Sequence, residues 1–348
     1  MGAAVNWLAL CAATAVILLA AWQYFRRVQV DRPPVGVFNL RDVAFTFGVL
    51  IIIPPLYLDL PAWLVGSILV LTATGLIFLT TRPMFGGRIA IAIAGGLAVG
   101  EVVLTTRGYG QSTAFVVLND IAIALLVVGV CNIWAQSGVR ARDVAVFACA
   151  VSVFDLVAVW LMPLMLEFFS QVRALPFAPM LAVGTGDAAV VLGLGDLLFV
   201  VLWPLVAVKA FGGRAGLVAA AGTLGCVVAL AIAFSTNVFT VAVPAMVFVA
   251  PVIVVQYLLL RRRHPAERST GEYRGTVHTG TLPPVPDLTA ALAVAESGNR
   301  RPARFLAVHH DGTVLGTGST PGAASRAARA AAPDVTPVLV LDSPWRGP

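Results

Sequence analysis

The sequence predicts an all-α polytopic membrane protein with nine transmembrane helices, followed by a small C-terminal extension on the cytoplasmic side. Three observations carry that expectation. The 348 residues are 59% hydrophobic and only 11% charged, with a mean hydropathy of +0.91, too apolar for a soluble fold of this size. The apolar residues gather into nine runs, most of them near the roughly 20 residues that a helix needs to cross hydrocarbon. Charged residues collect between the runs and in the tail, where they guide insertion, and do not form the organised basic patch that nucleic-acid binding requires.

Taken in order, the runs have approximate limits of 5–25, 42–58, 62–80, 88–106, 113–135, 143–169, 187–210, 215–234 and 237–260. The first has no basic residue before it and Arg26-Arg27 after it, the reverse of a secretory signal, so it reads as a retained span. The second is the weakest, being short and interrupted by Pro54-Pro55. Spans 4 and 5 carry Glu101 and Asp120, spans 6 and 7 carry Asp155 and Asp196, and span 9 contains Pro244 and Pro251. Residues 261–304 begin basic and continue Pro-rich, the composition of a linker. Residues 305–342 read either as a ββαβ module, with an Asp311-Gly312 turn between its first strands, or as a disordered tail.

Numbering the gaps gives an orientation. After the odd-numbered spans lie Arg26, Arg27, Arg32, Arg41, Arg82, Arg88, Arg140, Arg142, Lys209, Arg214 and Arg261 to Arg263, thirteen cations against two (Arg107 and Arg173) on the other side. The positive-inside rule then predicts an external N-terminus and a cytoplasmic tail in a bacterial-type cell membrane.

The residue inventory also limits the chemistry. All four histidines follow the last apolar run, so histidine-dependent catalysis at bilayer depth is excluded. The four cysteines lie inside apolar runs without Cys-x-x-Cys spacing, and indicate neither a zinc site nor a disulfide framework. Asp155 and Asp196 remain. A carboxylate in hydrocarbon costs at least about 3 kcal/mol, so such residues face a cavity or a site. Asp155 stands about 12 residues from either end of span 6 and Asp196 about 9 from the start of span 7, which places both near the midplane of consecutive antiparallel helices. Two adjacent carboxyls cannot both ionise; one then serves as base on a water while the other, protonated, donates to a peptide carbonyl. Gly193 and Gly195 lack side chains beside Asp196 and permit close approach of a second backbone, as a substrate or a neighbouring helix would require. Pro244 and Pro251 free backbone carbonyls in span 9, available to an extended peptide or simply marking kinks.

Three segments taken together, Phe154-Asp155, Gly193-Leu194-Gly195-Asp196 and Pro244-Ala245-Met246, resemble the Tyr-Asp, Gly-x-Gly-Asp and Pro-Ala-Leu motifs of presenilin-type intramembrane aspartyl proteases. They fall in spans 6, 7 and 9, as that family requires. The resemblance implies catalytic aspartates Asp155 and Asp196, a substrate-binding set of Gly193, Gly195, Pro244, Ala245 and Met246, single-span membrane proteins as substrates, and neither a metal nor an organic cofactor. Phe154 stands where the family has Tyr and Met246 where it has Leu. The predicted orientation is that of the related signal peptide peptidases. A second Gly-x-Gly-Asp, Gly184 to Asp187, sits at the edge of span 7 with no mid-membrane partner, so Asp196 is preferred. Glu101 and Asp120 read as structural or cavity-lining groups, with Asn119 and Asn132 as hydrogen-bond donors. The four carboxylates also admit a proton-coupled transporter, although no internal repeat is visible. A prepilin-peptidase-type enzyme would call for Lys two residues after the aspartate, where Leu198 stands.

Reporter fusions test the orientation. Those placed at Arg107 and after Arg140 report opposite sides, with Arg140 and Arg263 cytoplasmic; an external signal after both Arg140 and Arg263 reverses the assignment.

Overall fold

In hydrocarbon every backbone N–H must find its acceptor within the protein, and an uninterrupted apolar run does this most simply as a helix. The computed structural model describes residues 2–30, 40–160, 164–185, 189–236, 238, 243–264, 266–268, 273, 305–308, 314–318, 321–331 and 339–342. Its helices are α1 (Gly2–Arg27), α2 (Leu40–Asp59), α3 (Ala62–Phe85), α4 (Gly87–Thr106), α5 (Thr113–Gln136), α6 (Ala141–Trp160), α7 (Leu164–Val172), α8 (Leu194–Phe211), α9 (Gly213–Ser235) and α10 (Met246–Arg263). Among the described residues, six helices (α1, α3, α4, α5, α8 and α9) are long and apolar enough to cross a membrane, which fits an all-α polytopic membrane protein.

Helix α8 occupies the centre. In its apolar stretch 78% of residues are buried, against 17% to 50% in the other five, and α1, α5, α6, α9 and α10 all pack on it. Its junction with α9 is a tight turn at Gly212, whose φ of 104° favours glycine. At Gly216 on α9 an added Cβ would stand 2.1 Å from Val208 Cγ2, 2.9 Å from Trp22 and 3.2 Å from the Pro204 carbonyl oxygen, so the α8–α9 contact depends on a residue without a side chain. Polar groups bridge the helices. Trp203 Nε1 donates to Gln256 Oε1 (2.7 Å), Thr223 Oγ1 to the Val200 carbonyl (3.1 Å), Asn132 Nδ2 to the Ala21 carbonyl (3.1 Å), and buried Lys209 Nζ to the Ala135 (2.8 Å) and Val139 carbonyls at the end of α5.

The structure corrects three boundaries. Span 6 is described in two parts, α6 to Trp160 and α7 from Leu164, and residues 161–163 between them lie outside the described residues. Span 7 does not start at 187. Strands β1 (Met180–Val183) and β2 (Val190–Gly193) pair antiparallel, with Met180 opposite Gly193, and α8 follows at once. The two strands also correct the purely helical expectation, because four apolar residues read alike as strand or buried helix. Span 9 begins as a helix only at Met246; Val243 and Pro244 precede it, so Pro251 alone lies inside α10. Finally, the first compact unit extends to Arg274, past the limit of 260 drawn from apolarity.

The second unit, Gly275–Pro348, holds β3 (Phe305–Val308), β4 (Val314–Gly318), α11 (Pro321–Ala331) and β5 (Leu339–Asp342), an antiparallel sheet in the order β4-β3-β5. Its small core is Ala307, Ala324 and Ala328 with Leu315. Gly316 lets α11 lie directly on β4, since a Cβ there would stand 2.3 Å from the Ala328 nitrogen. The Asp311-Gly312 turn lies outside the described residues, as do most of the linker positions.

Overpacking at the α8–α9 contact has a measurable cost. Gly216→Ala is expected to destabilise the protein by about 1–3 kcal/mol, read as a lowered thermal unfolding midpoint in detergent, whereas Gly213→Ala, whose Cβ meets nothing within 4 Å, is not.

Candidate active site

The site is assembled at helix ends. Asp155 is half-buried on α6, five residues before its last residue, Trp160. Asp196 is half-buried in the first turn of α8, as its third residue. The position of Asp196 corrects the expectation of a mid-helix aspartate in span 7. The two elements run in opposite directions, so the C-terminal part of α6 and the N-terminal turn of α8 meet, and Asp155 acts electrostatically on Asp196.

Met246 contributes through its backbone. Pro244 and Ala245 precede α10, which starts at Met246, whose N–H has no partner within its own helix. That N–H lies near enough to the Asp196 carboxyl to act on it electrostatically. Asp196 therefore lies at the N-terminal ends of two helices, its own α8 and α10, where the aligned peptide dipoles favour negative charge. Ala245 and Met246 are themselves buried, and α10 packs along α6 as well as α8, joining the segments that carry Asp155, Asp196 and Met246.

The two glycines differ. A Cβ on Gly193 would stand 3.2 Å from Asp196 Oδ2 and 3.7 Å from Phe169 Cζ on α7, so the missing side chain makes room for the carboxylate itself. A Cβ on Gly195 would meet nothing within 4 Å. Phe154 stacks edge-on with Phe47 of α2, ring centroids 6.4 Å apart, an apolar contact in the place of a hydroxyl. Gly186 and Asp187 of the second Gly-x-Gly-Asp lie outside the described residues.

Glu101 and Asp120 hold the hairpin in place. The Ala182 N–H donates to Asp120 Oδ1 (2.9 Å), the Phe177 N–H to Glu101 Oε2 (3.4 Å), and Asn119 Nδ2 to the carbonyls of Ala178 (3.2 Å) and Met180 (3.0 Å). The outer edge of β1 is thereby fastened to α5, and β2 leads directly into Asp196. Sequence reasoning noted the depth of these side chains but not their target, because β1 itself was not foreseen. A small cavity of about 70 Å³ reaches Asp196; Trp7 and Leu10 of α1, Leu192 of β2 and Phe234 of α9 line it together with Ala245. Trp7 and Phe234 stack at 5.1 Å. None of these lining aromatics carries a motif that would have marked it. Among the described residues no three His, Cys, Asp or Glu side chains cluster as metal ligands.

No protein-family model matches the chain, and no curated protein shows significant similarity to it.

The asymmetry between the glycines predicts unequal variants. Gly193→Ala crowds the Asp196 carboxyl by a few tenths of an ångström and is expected to lower any activity that depends on Asp196 by roughly 5- to 10-fold. Gly195→Ala is expected to stay within about threefold of wild type by the same geometric criterion. Equal losses would show that space at Asp196 is not what Gly193 provides.

Proposed function

We propose that this protein is an intramembrane aspartyl endopeptidase that hydrolyses peptide bonds of membrane-spanning helices, with Asp155 and Asp196 as its catalytic dyad. One observation carries the reading: three segments far apart in sequence meet at one carboxylate, Asp155 through its charge, Gly193 through the room it leaves and Met246 through its N–H. In this mechanism one carboxylate takes a proton from a water, which attacks the scissile carbonyl carbon. The other, protonated, donates to the carbonyl oxygen, and the resulting diol collapses as the amine leaves with a proton.

A helical substrate hides its carbonyls, so cleavage needs local unwinding. Strand β2 supports this step: among the described residues it pairs only with β1, within a two-stranded sheet, and an extended peptide can add along the other edge. Val191 of β2 is 44% exposed, and the cavity beside Leu192 and Asp196 offers apolar walls to a substrate side chain. In this reading α1 to α6 and α8 to α10 make nine crossings of a bacterial-type cell membrane, with the N-terminus outside and the C-terminal unit cytoplasmic, and single-span proteins with a cytoplasmic N-terminus are the preferred substrates. A proton-coupled transporter would use Glu101 and Asp120 on a transport path, whereas here both accept hydrogen bonds from the hairpin backbone.

Purified protein incubated with a panel of single-span substrates tests the assignment. Asp155→Asn and Asp196→Asn are each expected to abolish fragment formation while leaving the protein inserted, and Asp187→Asn to retain most activity. Robust cleavage by Asp196→Asn would refute the dyad. The rate should also be bell-shaped in pH: it falls at low pH as the base is protonated and at high pH as the acid loses its proton. A flat profile with chemistry rate-limiting counts against proton sharing.

A further inference from the structure

The chain after α10 returns to the two aspartate-bearing helices at their far ends. Adjacent residues satisfy opposite helix termini there. Glu267 Oε2 accepts a hydrogen bond from the Ala141 N–H (3.1 Å), the first residue of α6, where the helix has unpaired donors and favours an anion. Arg268 Nη2 donates to the Val208 carbonyl (2.9 Å), which also accepts from the Gly212 N–H (3.0 Å), and the Arg268 N–H donates to the Ala210 carbonyl (3.1 Å), in the last turn of α8, where a cation is favoured. Gly212 packs beside this guanidinium, a Cβ there lying at ordinary contact distance, 3.6 Å from Arg268 Nη2. The guanidinium also lies over the Tyr273 ring, 5.8 Å from its centroid, and that ring stacks on Phe25 of α1 at 5.3 Å.

We propose that Glu267 and Arg268 form a strap that sets the angle between α6 and α8 and so the relative placement of Asp155 and Asp196; both are positioning residues, and the proposal rests on the protease reading. The chemistry of the pair fits this use. An acidic and a basic side chain, consecutive in the chain, each match the charge preference of the helix end they touch, and the peptide bond between them ties those ends together. The leverage is large. Ala141 lies 14 residues from Asp155 and Val208 lies 12 from Asp196, which makes arms of about 21 and 18 Å at 1.5 Å per residue. A change of about 3° at the strapped end moves a carboxylate by roughly 1 Å, a shift that costs about 100-fold in rate. The strap ends within the first compact unit, which reaches Arg274, so the residues that follow are not needed for it.

The test uses the full chain in detergent with four variants: Glu267→Ala, Glu267→Gln, Arg268→Ala, and the double Glu267→Ala/Arg268→Ala. Two truncations, after Arg263 and after Gly275, accompany them. For substrate cleavage, Glu267→Ala and Arg268→Ala are expected to lose 10- to 100-fold in kcat with KM within twofold. The double variant should be no worse than about the larger single loss, because the two residues act as one tie. Glu267→Gln, which keeps an acceptor for Ala141 N–H, should recover most of the rate. Truncation after Gly275 should match wild type, and truncation after Arg263 should match the double variant. An independent arm needs no activity: with native cysteines replaced, Asp155→Cys/Asp196→Cys is treated with a short bis-thiosulfonate cross-linker. Its yield should fall several-fold in the strap variants and after truncation at Arg263, but not after truncation at Gly275. Wild-type kcat in Glu267→Ala and in the Arg263 truncate overturns the strap, as does an unchanged cross-linking yield. A strap variant that no longer inserts or elutes as the wild type also overturns it, assigning these residues to folding. If the wild type cleaves no substrate the protease reading fails, and the cross-linking arm alone decides the strap.

Discussion

The electrostatic action of Asp155 and of the Met246 N–H on Asp196 is the interaction on which the site depends. A helix that starts inside an apolar protein leaves its first N–H groups without partners, at a cost of about 1–3 kcal/mol for each that stays buried and unsatisfied. Asp196 sets a carboxyl beside the first helical N–H of α10, with the Pro244-Ala245-Met246 segment near the first turn of α8. The same neighbourhood places the carboxyl where two helix dipoles converge. Helix-end electrostatics and the proposed chemistry thus use one group, and Gly193 leaves that group its room, since a Cβ there would crowd it by a few tenths of an ångström.

The surrounding protein holds this junction from three directions. Helix α8 is buried by its neighbours along most of its length, so its first turn has little freedom to move. The β-hairpin is fastened by Asn119 and Asp120 of α5 and by Glu101 of α4, polar side chains that satisfy backbone groups in a strand too short to satisfy them by pairing alone. At the opposite ends of α6 and α8, Glu267 and Arg268 close the frame. The four carboxyls therefore divide by their surroundings: Glu101 and Asp120 accept from backbone donors of the hairpin, whereas Asp155 acts electrostatically on Asp196, which lines a cavity.

Much of the helical content was legible in the residues. Apolar runs of about 20 residues mark bilayer-length helices because length and hydrophobicity are set by the thickness of hydrocarbon, and no tertiary information is needed for that. The depth of Glu101, Asp120, Asp155 and Asp196, and the grouping of the three motif segments, came from the same reading. The glycines of the Gly-x-Gly-Asp segment were visible too, but not their inequality, since a glycine's value depends on which atom occupies the space that a Cβ would take.

Tertiary structure decided the rest. Apolarity cannot separate a strand from a buried helix over four residues, so Met180–Val183 and Val190–Gly193 became strands only because α5 offers side chains that satisfy the edge of β1. Hydropathy also ended the membrane unit at the last apolar residue, whereas the polar residues Glu267 and Arg268 belong to it through bonds to α6 and α8 more than 50 positions earlier in the chain. The sequence by itself determined which segments favour a membrane, a property of each segment's own transfer from water. Where α8 and α10 begin, and which carboxylate faces which donor, are properties of pairs of segments, and only the packed chain contains those pairs.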